Sequence, residues 1–279
     1  MGEPKMKKKW TKTFLIHGAL IITCFIIAAP VLFALIGSTH TRGEASSYPP
    51  KLAFGSAGFK NYETAWKSGL GKMMWNTFFV ALSATILKTV IALLAALALV
   101  YFQFRFKNLI FFFILITLMF PLPVRVVALF DLVQKLKMGN TYLALIMPFI
   151  ASATGTFLFR QHFMSIPSSF VDAARIDGAG PIKFLIRILI PMSLNAIGAL
   201  ALILFIYMWN EYLWPLIVIT SKEKQLVQLG LKMLMQDVAG EQVWGVAMAG
   251  AVITILPPLL VFILLQRQFT RGFALTSGK

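Results

Sequence analysis

Long apolar runs alternate with short polar interruptions along this chain. The runs fall at about 14–36, 76–101, 109–128, 142–159, 192–219 and 243–265. Each is near the roughly 20 residues that an α-helix needs to cross a hydrocarbon core. The pattern predicts an all-α integral membrane protein with six transmembrane helices in one domain, 14–265, between an N-terminal segment 1–13 and a C-terminal tail 266–279. The longest interruption, about 38–74, contains SSYPPKLAFGSAGFKNYETAW and reads as an ordered loop with turns rather than another span. A second polar interruption, about 162–191, separates the fourth and fifth runs. No linker, low-complexity tract or internal repeat stands out.

Composition supports the membrane reading. The 279 residues are 58% hydrophobic and 13% charged, with a mean hydropathy of +0.80. A soluble domain is about half apolar and about a quarter charged. The N-terminal MGEPKMKKKWTK is like the basic region of a signal peptide. The run behind it, from Phe14, is too long for such a peptide, and no A-x-A-like site leads into a soluble domain. It is expected to be an uncleaved first span.

With an even number of spans the termini share a side, and Lys5, Lys7, Lys8, Lys9 and Lys12 assign that side to the cytoplasm. Cations then divide fourteen inside against ten outside, so the N-terminal cluster carries the assignment. The ten outer cations face Glu44, Glu63, Asp131, Glu223, Asp237 and Glu241. That surplus either draws anionic ligands within a Debye length or is unspecific surface charge. Trp10, Trp66, Trp75, Tyr101, Tyr142 and Trp244 sit at span ends, as interfacial aromatics do.

Several chemistries find no residues here. Cys24 is the single cysteine and lies within the first run, so there is neither a disulfide framework nor a thiol metal site. His17, His40 and His162 are scattered without metal-ligand spacing. An intramembrane enzyme would need a GxSxG-type serine, paired aspartates or a histidine cluster, and none is visible. No basic stretch alternates with aromatics in a soluble segment, which leaves nucleic-acid binding unsupported. The G-x-x-x-x-G-K-[ST] phosphate loop is missing too, so the chain binds no ATP of its own by that device.

The fourth interruption, SIPSSFVDAARIDGAGPIKFLIRILIP, is the informative one. Pro167 stops what precedes it. Ser169 followed by Asp172 predicts a capping-box-like helix start with the carboxylate near the positive end of the dipole. Phe170, Ala173, Ala174 and Ile176 place small and apolar groups on a short helix, and Gly178 suits the left-handed residue that ends it. Pro181 suits the first turn of the next helix, whose apolar face would be Ile182, Leu185, Ile188 and Leu189, with Lys183 and Arg187 elsewhere. Pro191 marks the passage into the fifth span. A small-residue helix on an inner face fits another protein's groove, with Asp172, Arg175 and Asp177 at the rim. The other reading is an amphipathic helix resting on headgroups, for which two alanines and two aspartates are poorly suited.

This segment resembles the EAA loop of bacterial ABC-importer permeases: E-A-A, three residues, G, nine residues, then I-x-L-P. Here stand Asp172-Ala173-Ala174, Gly178 and Ile188-Leu189-Ile190-Pro191, with Asp172 in place of Glu and Ile190 in place of Leu. The likeness covers nearly the whole chain and is to the carbohydrate-uptake, maltose-permease-like branch. It is carried by YPPKLAFGSAGFKNY, TFLFRQHFMSIPSSFVDAARIDGA, WNEYLWPLIV and QRQFTRGF. KNLIFFFILITLMFPLPVRV and IASATGTFLFRQ are most similar to the second permease subunits of sn-glycerol-3-phosphate importers.

The resemblance implies the type I importer permease fold with a cytoplasmic coupling helix, in a bacterial cytoplasmic membrane. It further implies a homologous second permease, two ATPase subunits that bind ATP and Mg, and an extracytoplasmic solute-binding protein. Coupling to the ATPase would fall to Asp172, Ala173, Ala174, Asp177 and Gly178. The implied cargo is sn-glycerol 3-phosphate or a glycerophosphodiester, with a neutral sugar or oligosaccharide as the alternative. A passive channel would leave the docking helix unexplained.

Three ionisable groups lie within the spans: Lys88, Arg125 and Glu211. Such groups face a bundle interior or a cavity by default. Trp209, Asn210, Tyr212 and Trp214 flank Glu211, in a stretch that the resemblance places in the pathway, and Pro215 frees a backbone carbonyl. Lys88 and Arg125 suit a phosphate, as a point charge and a fork. The alternative is an internal Lys88–Glu211 or Arg125–Glu211 pair that only holds helices together.

Overall fold

The computed structural model describes residues 4–45, 47–235 and 244–274, and among these the side chains of all but 4–12, 122 and 271–274. The side chains of the N-terminal lysines and Trp10, the anions Asp237 and Glu241, the side chain of Arg271, and Lys279 therefore lie outside the described residues.

Among the described residues the ordered elements are helical. In chain order they are α1 (Pro4–Gly37), α2 (Gly58–Ala65), α3 (Gly71–Tyr101), α4 (Lys107–Ile116), α5 (Leu122–Lys135), α6 (Tyr142–Ile146) and α7 (Ala153–Met164). There follow α8 (Ser168–Ile176), α9 (Pro181–Phe184), α10 (Leu194–Trp209), α11 (Leu213–Val218), α12 (Val227–Met235) and α13 (Trp244–Ala274). Three helices are long and apolar enough to cross a membrane, and six spans result if each of three bent pairs counts as one.

The bent pairs add breaks to the expected runs, and prolines lie at or near them. The third run breaks by 105° between Lys107–Met119 and Pro123–Lys135. Phe120 precedes Pro121 and is pushed out of the helical region, to φ −94° and ψ 100°. The fourth run is two helices at 43°, Tyr142–Phe149 and Ala153–Met164, and it ends later than expected. Ser152 restarts it by accepting the Gly155 N–H on its hydroxyl at 3.0 Å. The fifth run stops at Trp209 and resumes at Leu213, because Pro215 has no N–H for the Glu211 carbonyl. The expected outer loop carries a helix of its own, α2.

The chain forms two compact units, Met1–Leu70 with Leu231–Thr254, and Gly71–Gly230 with Ile255–Lys279. In the first, α1 buries none of its most apolar stretch. Asn61 anchors the segment after it: buried, its amide donates to the carbonyls of Ser38 at 2.9 Å and His40 at 2.8 Å. His40 donates in turn to the Ala53 carbonyl at 2.7 Å. The last carbonyls of α1 accept from Ser38, Thr39 and His40, and the carbonyls of the segment after it are held by donors from α2.

In the second unit α3 is the central element, packed against α7 and α10. Ala81, Ala84, Ala92 and Ala96 are fully buried along it. Such small residues let helix backbones approach closely in a membrane. Gly155 marks where the three helices meet closely: a Cβ there would sit 3.0 Å from Ala92 and 3.1 Å from Leu200. Below it Leu93, Leu97, Phe159, Phe163, Phe184 and Leu189 form one buried cluster that reaches Ala174 of α8.

Candidate functional site

Helix α8 is where the sequence motif places its polar residues. It begins at Ser168 with Pro167 before it and no side-chain cap, so the expected Ser169–Asp172 capping box does not form. Pro167, with φ −57° and ψ 139°, already sets the entry, which leaves Ser169 inside the first turn. Asp172 instead faces Arg175 at 3.9 Å, both exposed. A surface pair of that kind adds at most about 1 kcal/mol.

The end of α8 is built as the motif predicts. Gly178 takes φ +65°. Its N–H reaches the Arg175 carbonyl at 3.1 Å, and Ala179 N–H reaches the Ala174 carbonyl at 2.8 Å. These two bonds are the Schellman arrangement, and Ala174 and Ala179 supply its apolar contact on the buried cluster. Pro181 then opens α9 as expected.

The apolar face beyond differs from the expected one. Phe184, Leu185 and Leu189 are buried, whereas Ile182 is 55% exposed. A π-turn over Leu185–Leu189 shifts the face, ahead of Pro191, whose ring crowds the turn and which has no N–H to give. The chain then turns by 82° at Ser193 into α10.

Helix α8 therefore divides cleanly. Ala174 is buried and Val171 half-buried, holding it to the body, while Phe170, Asp172, Ala173, Arg175, Ile176 and Asp177 are exposed. Ile176, at 87% exposure, is an apolar side chain with nothing against it in this chain.

The ionisable groups meet elsewhere in the same unit. A small cleft is lined by Val80, Leu145, Phe149, Tyr207, Met208, Glu211, Trp214, Pro215 and Leu226. Lys88 lies behind this wall, 6% exposed. Its ammonium donates to Met208 Sδ at 3.4 Å and stands 5.9 Å and 5.5 Å from the ring centroids of Phe149 and Tyr207. Glu211 and Arg125 are near enough to act on its charge, yet no ion pair joins any two of the three among the described residues. The alternative of an internal helix-holding pair is not what forms. One turn before Lys88, the buried hydroxyl of Thr85 also lacks a partner among the described residues.

The residues around Glu211 take different roles. Glu211 accepts the Trp214 N–H at 3.2 Å, placing its carboxylate at the start of α11. Trp214 donates its indole N–H to the Ala144 carbonyl at 2.9 Å, and Trp209 stacks on Phe205 with centroids 5.8 Å apart. Both tryptophans are 1% exposed, and Trp214 lines the cleft. Asn210 is exposed and accepts from Gln228 at 3.4 Å, Tyr212 is half-buried, and Arg125 is exposed on α5. Sequence reasoning missed Tyr207, Phe149 and Met208. Tyr207 could have been found, since it stands one helical turn before Glu211.

Residues 88–274 match the family model described as binding-protein-dependent transport system inner membrane component. The chain belongs to this family. The sn-glycerol-3-phosphate transport system permease protein UgpE of Escherichia coli O1:K1 / APEC is 38% identical over 267 residues, 93% of this chain and 95% of that one. The protein of the same name from Salmonella typhi is 39% identical over 267 residues, with the same coverage of 93% and 95%. In fold, the chain matches the crystal structure of a bacterial ABC transporter involved in the import of the acidic polysaccharide alginate, with a TM-score of 0.81. That likeness covers 92% of this chain and 97% of the other at 23% identity. The protein is an ABC-importer permease with the fold of that class, and its several apolar helices make it a multi-pass inner-membrane component.

Proposed function

We propose that this permease forms half of the translocation pathway for sn-glycerol 3-phosphate or a glycerophosphodiester. It would do so with a homologous second permease, two ATPase subunits carrying ATP and Mg, and an extracytoplasmic solute-binding protein. The substrate class is supported by the 38% identity, over 93% of the chain, to a permease named for that cargo. The observation that carries the pathway is Lys88, a buried ammonium whose near partners are one thioether and two ring faces. Those contacts offset part of the cost of burial, about 0.5–2 kcal/mol per ring, and leave the charge without a directly paired anion among the described residues. A phosphate entering the cleft supplies one. Arg125 and Lys88 would attract it, Glu211 would set the register through the polyol hydroxyls, and Asn210 and Tyr212 would add hydrogen bonds. Trp209 and Trp214 would keep the wall rigid.

At the other site, the exposed face of α8 with Asp172, Ala173 and Asp177 would dock in the ATPase, with Ala174 and Gly178 fixing its pose. This requires the α8 end, and with it both termini, to be cytoplasmic. Uptake by the reconstituted complex tests the pathway. Lys88→Met and Arg125→Met are each expected to lower glycerol phosphate uptake at least tenfold, about 1.4 kcal/mol, in a complex that still assembles. Normal uptake in both variants would overturn the phosphate reading.

A further inference from the structure

The turn between α3 and α4, with the first residue of α4, reads Phe102-Gln103-Phe104-Arg105-Phe106-Lys107. It lies at the α8 end of its unit. Tyr101, the last residue of α3, donates to the Phe163 carbonyl at 3.1 Å and packs edge-on against Phe184 with centroids 5.2 Å apart. Arg160 reaches the same edge from α7. Its guanidinium lies over the Phe111 ring, 4.2 Å from the centroid. Phe111 is one helical turn from Lys107 on the same face, a separation of about 6 Å between Cβ atoms.

Arg105 and Lys107 lie in and beside this turn and Arg160 lies on the Phe111 ring of α4, and the three cations are not equally occupied. Lys107 donates to the carbonyls of Val100 at 3.1 Å and Phe102 at 3.2 Å, closing the end of α3. Arg105 contacts only the Phe106 ring, 5.3 Å from its centroid. Neither arginine has a carboxylate within ion-pair distance among the described residues. The Arg160 Nε is buried with no acceptor. A buried guanidinium N–H without an acceptor costs about 1–3 kcal/mol, which a bidentate oxyanion removes. No Asp or Glu occurs in α7 or between residues 95 and 120 to serve as that oxyanion. Around the cations Phe102, Phe104 and Phe106 are 44%, 40% and 55% exposed, a surface for hydrocarbon rather than for water.

We propose that Arg105, Lys107 and Arg160 form a site for the phosphate-bearing headgroup of an anionic phospholipid, whose acyl chains lie along Phe102, Phe104 and Phe106. Phosphate is the shared chemistry of a lipid headgroup and of the free ion, and the exposed phenyl rings that alternate with the cations in the turn favour the lipid, whose acyl chains they would contact. The site is separate from the cleft at Lys88 and does not depend on the cargo.

The test uses the whole complex in nanodiscs of phosphatidylcholine with a minor share of phosphatidylglycerol, followed by delipidation and native mass spectrometry. Wild type is expected to retain phosphatidylglycerol in preference to phosphatidylcholine, and Arg105→Gln/Arg160→Gln to retain about 30-fold less. If the double variant does not assemble, Arg105→Gln alone, in an exposed turn, is expected to show about a fivefold loss. Equal retention by wild type and variant, or equal retention of both lipids, would overturn the proposal and leave the cations as snorkelling surface charge. Displacement of the lipid by millimolar inorganic phosphate would overturn it in favour of a free-anion site.

Discussion

Gly178 shows how one residue ties a motif to its mechanics. At φ +65° it ends α8 and turns the chain into α9. No atom lies within 4 Å of a Cβ built there, so a larger residue fits in space but not in conformation. The strain of a non-glycine in this region is about 1–2 kcal/mol. Gly178→Val is expected to shift α8 on its buried footing, lowering uptake more than tenfold while ATP hydrolysis by the assembled complex continues. Parallel uptake and hydrolysis assays in vesicles check it. Asp172→Glu is expected to retain uptake within about twofold, because the exposed carboxylate has one weak partner at 3.9 Å.

Residues whose backbone or burial cost is intrinsic were legible: Gly178 from its need for a left-handed turn, and Lys88 from the cost of a charge in a span. Ser169 was misread because Pro167 already fixes the helix entry. The neighbours of Lys88 were illegible, since Met208 and Phe149 are ordinary apolar residues until the fold brings them to an ammonium.

At the scale of elements, hydropathy reports how many residues are apolar but not where the chain changes direction. Six runs were therefore visible, and the 105° and 82° turns were not. The signals were present in Pro121, Pro123 and Pro191. An apolar run with a proline near its middle satisfies a window average equally well bent or straight.

The outer segment also has elements with testable weight. Asn61→Ala removes the donors from the Ser38 and His40 carbonyls just after α1 and is expected to cost about 1–3 kcal/mol there. Hydrogen exchange of the amides in 38–65 would read it as faster exchange. Glu44 is held below the usual carboxylate range by the backbone N–H of Thr41, then by the Thr41 hydroxyl, with Lys51 adding to them. A depressed folded pKa stabilises above the unfolded value, about 4.3, and that contribution is lost as pH falls through the folded one. Protection of the amides in 41–45, taken relative to their intrinsic exchange rates, is thus expected to fall on acidification below the unfolded value, and to be unchanged over that range in Glu44→Gln.

For the whole molecule, the family was legible because one spacing, from Asp172 through Gly178 to Pro191, is imposed by an obligate sequence of structures: a short helix, a left-handed turn and a proline-opened second helix. Matching that spacing needs no knowledge of the bends upstream. The cleft is legible only after folding, since Lys88, Arg125 and Glu211 are far apart in sequence and form no direct pair. In the proposed pathway cargo identity would rest on charge placed behind Phe149, Tyr207 and Met208, which transport rather than fold tests.

The most direct test of the central claim is uptake of labelled sn-glycerol 3-phosphate into vesicles holding the assembled permease pair and ATPases, with and without receptor and internal ATP. Uptake is expected only when both are present, with a neutral sugar failing to compete. Uptake that persists without ATP or without receptor would contradict the importer mechanism, and equal competition by maltodextrin would contradict the phosphate cargo.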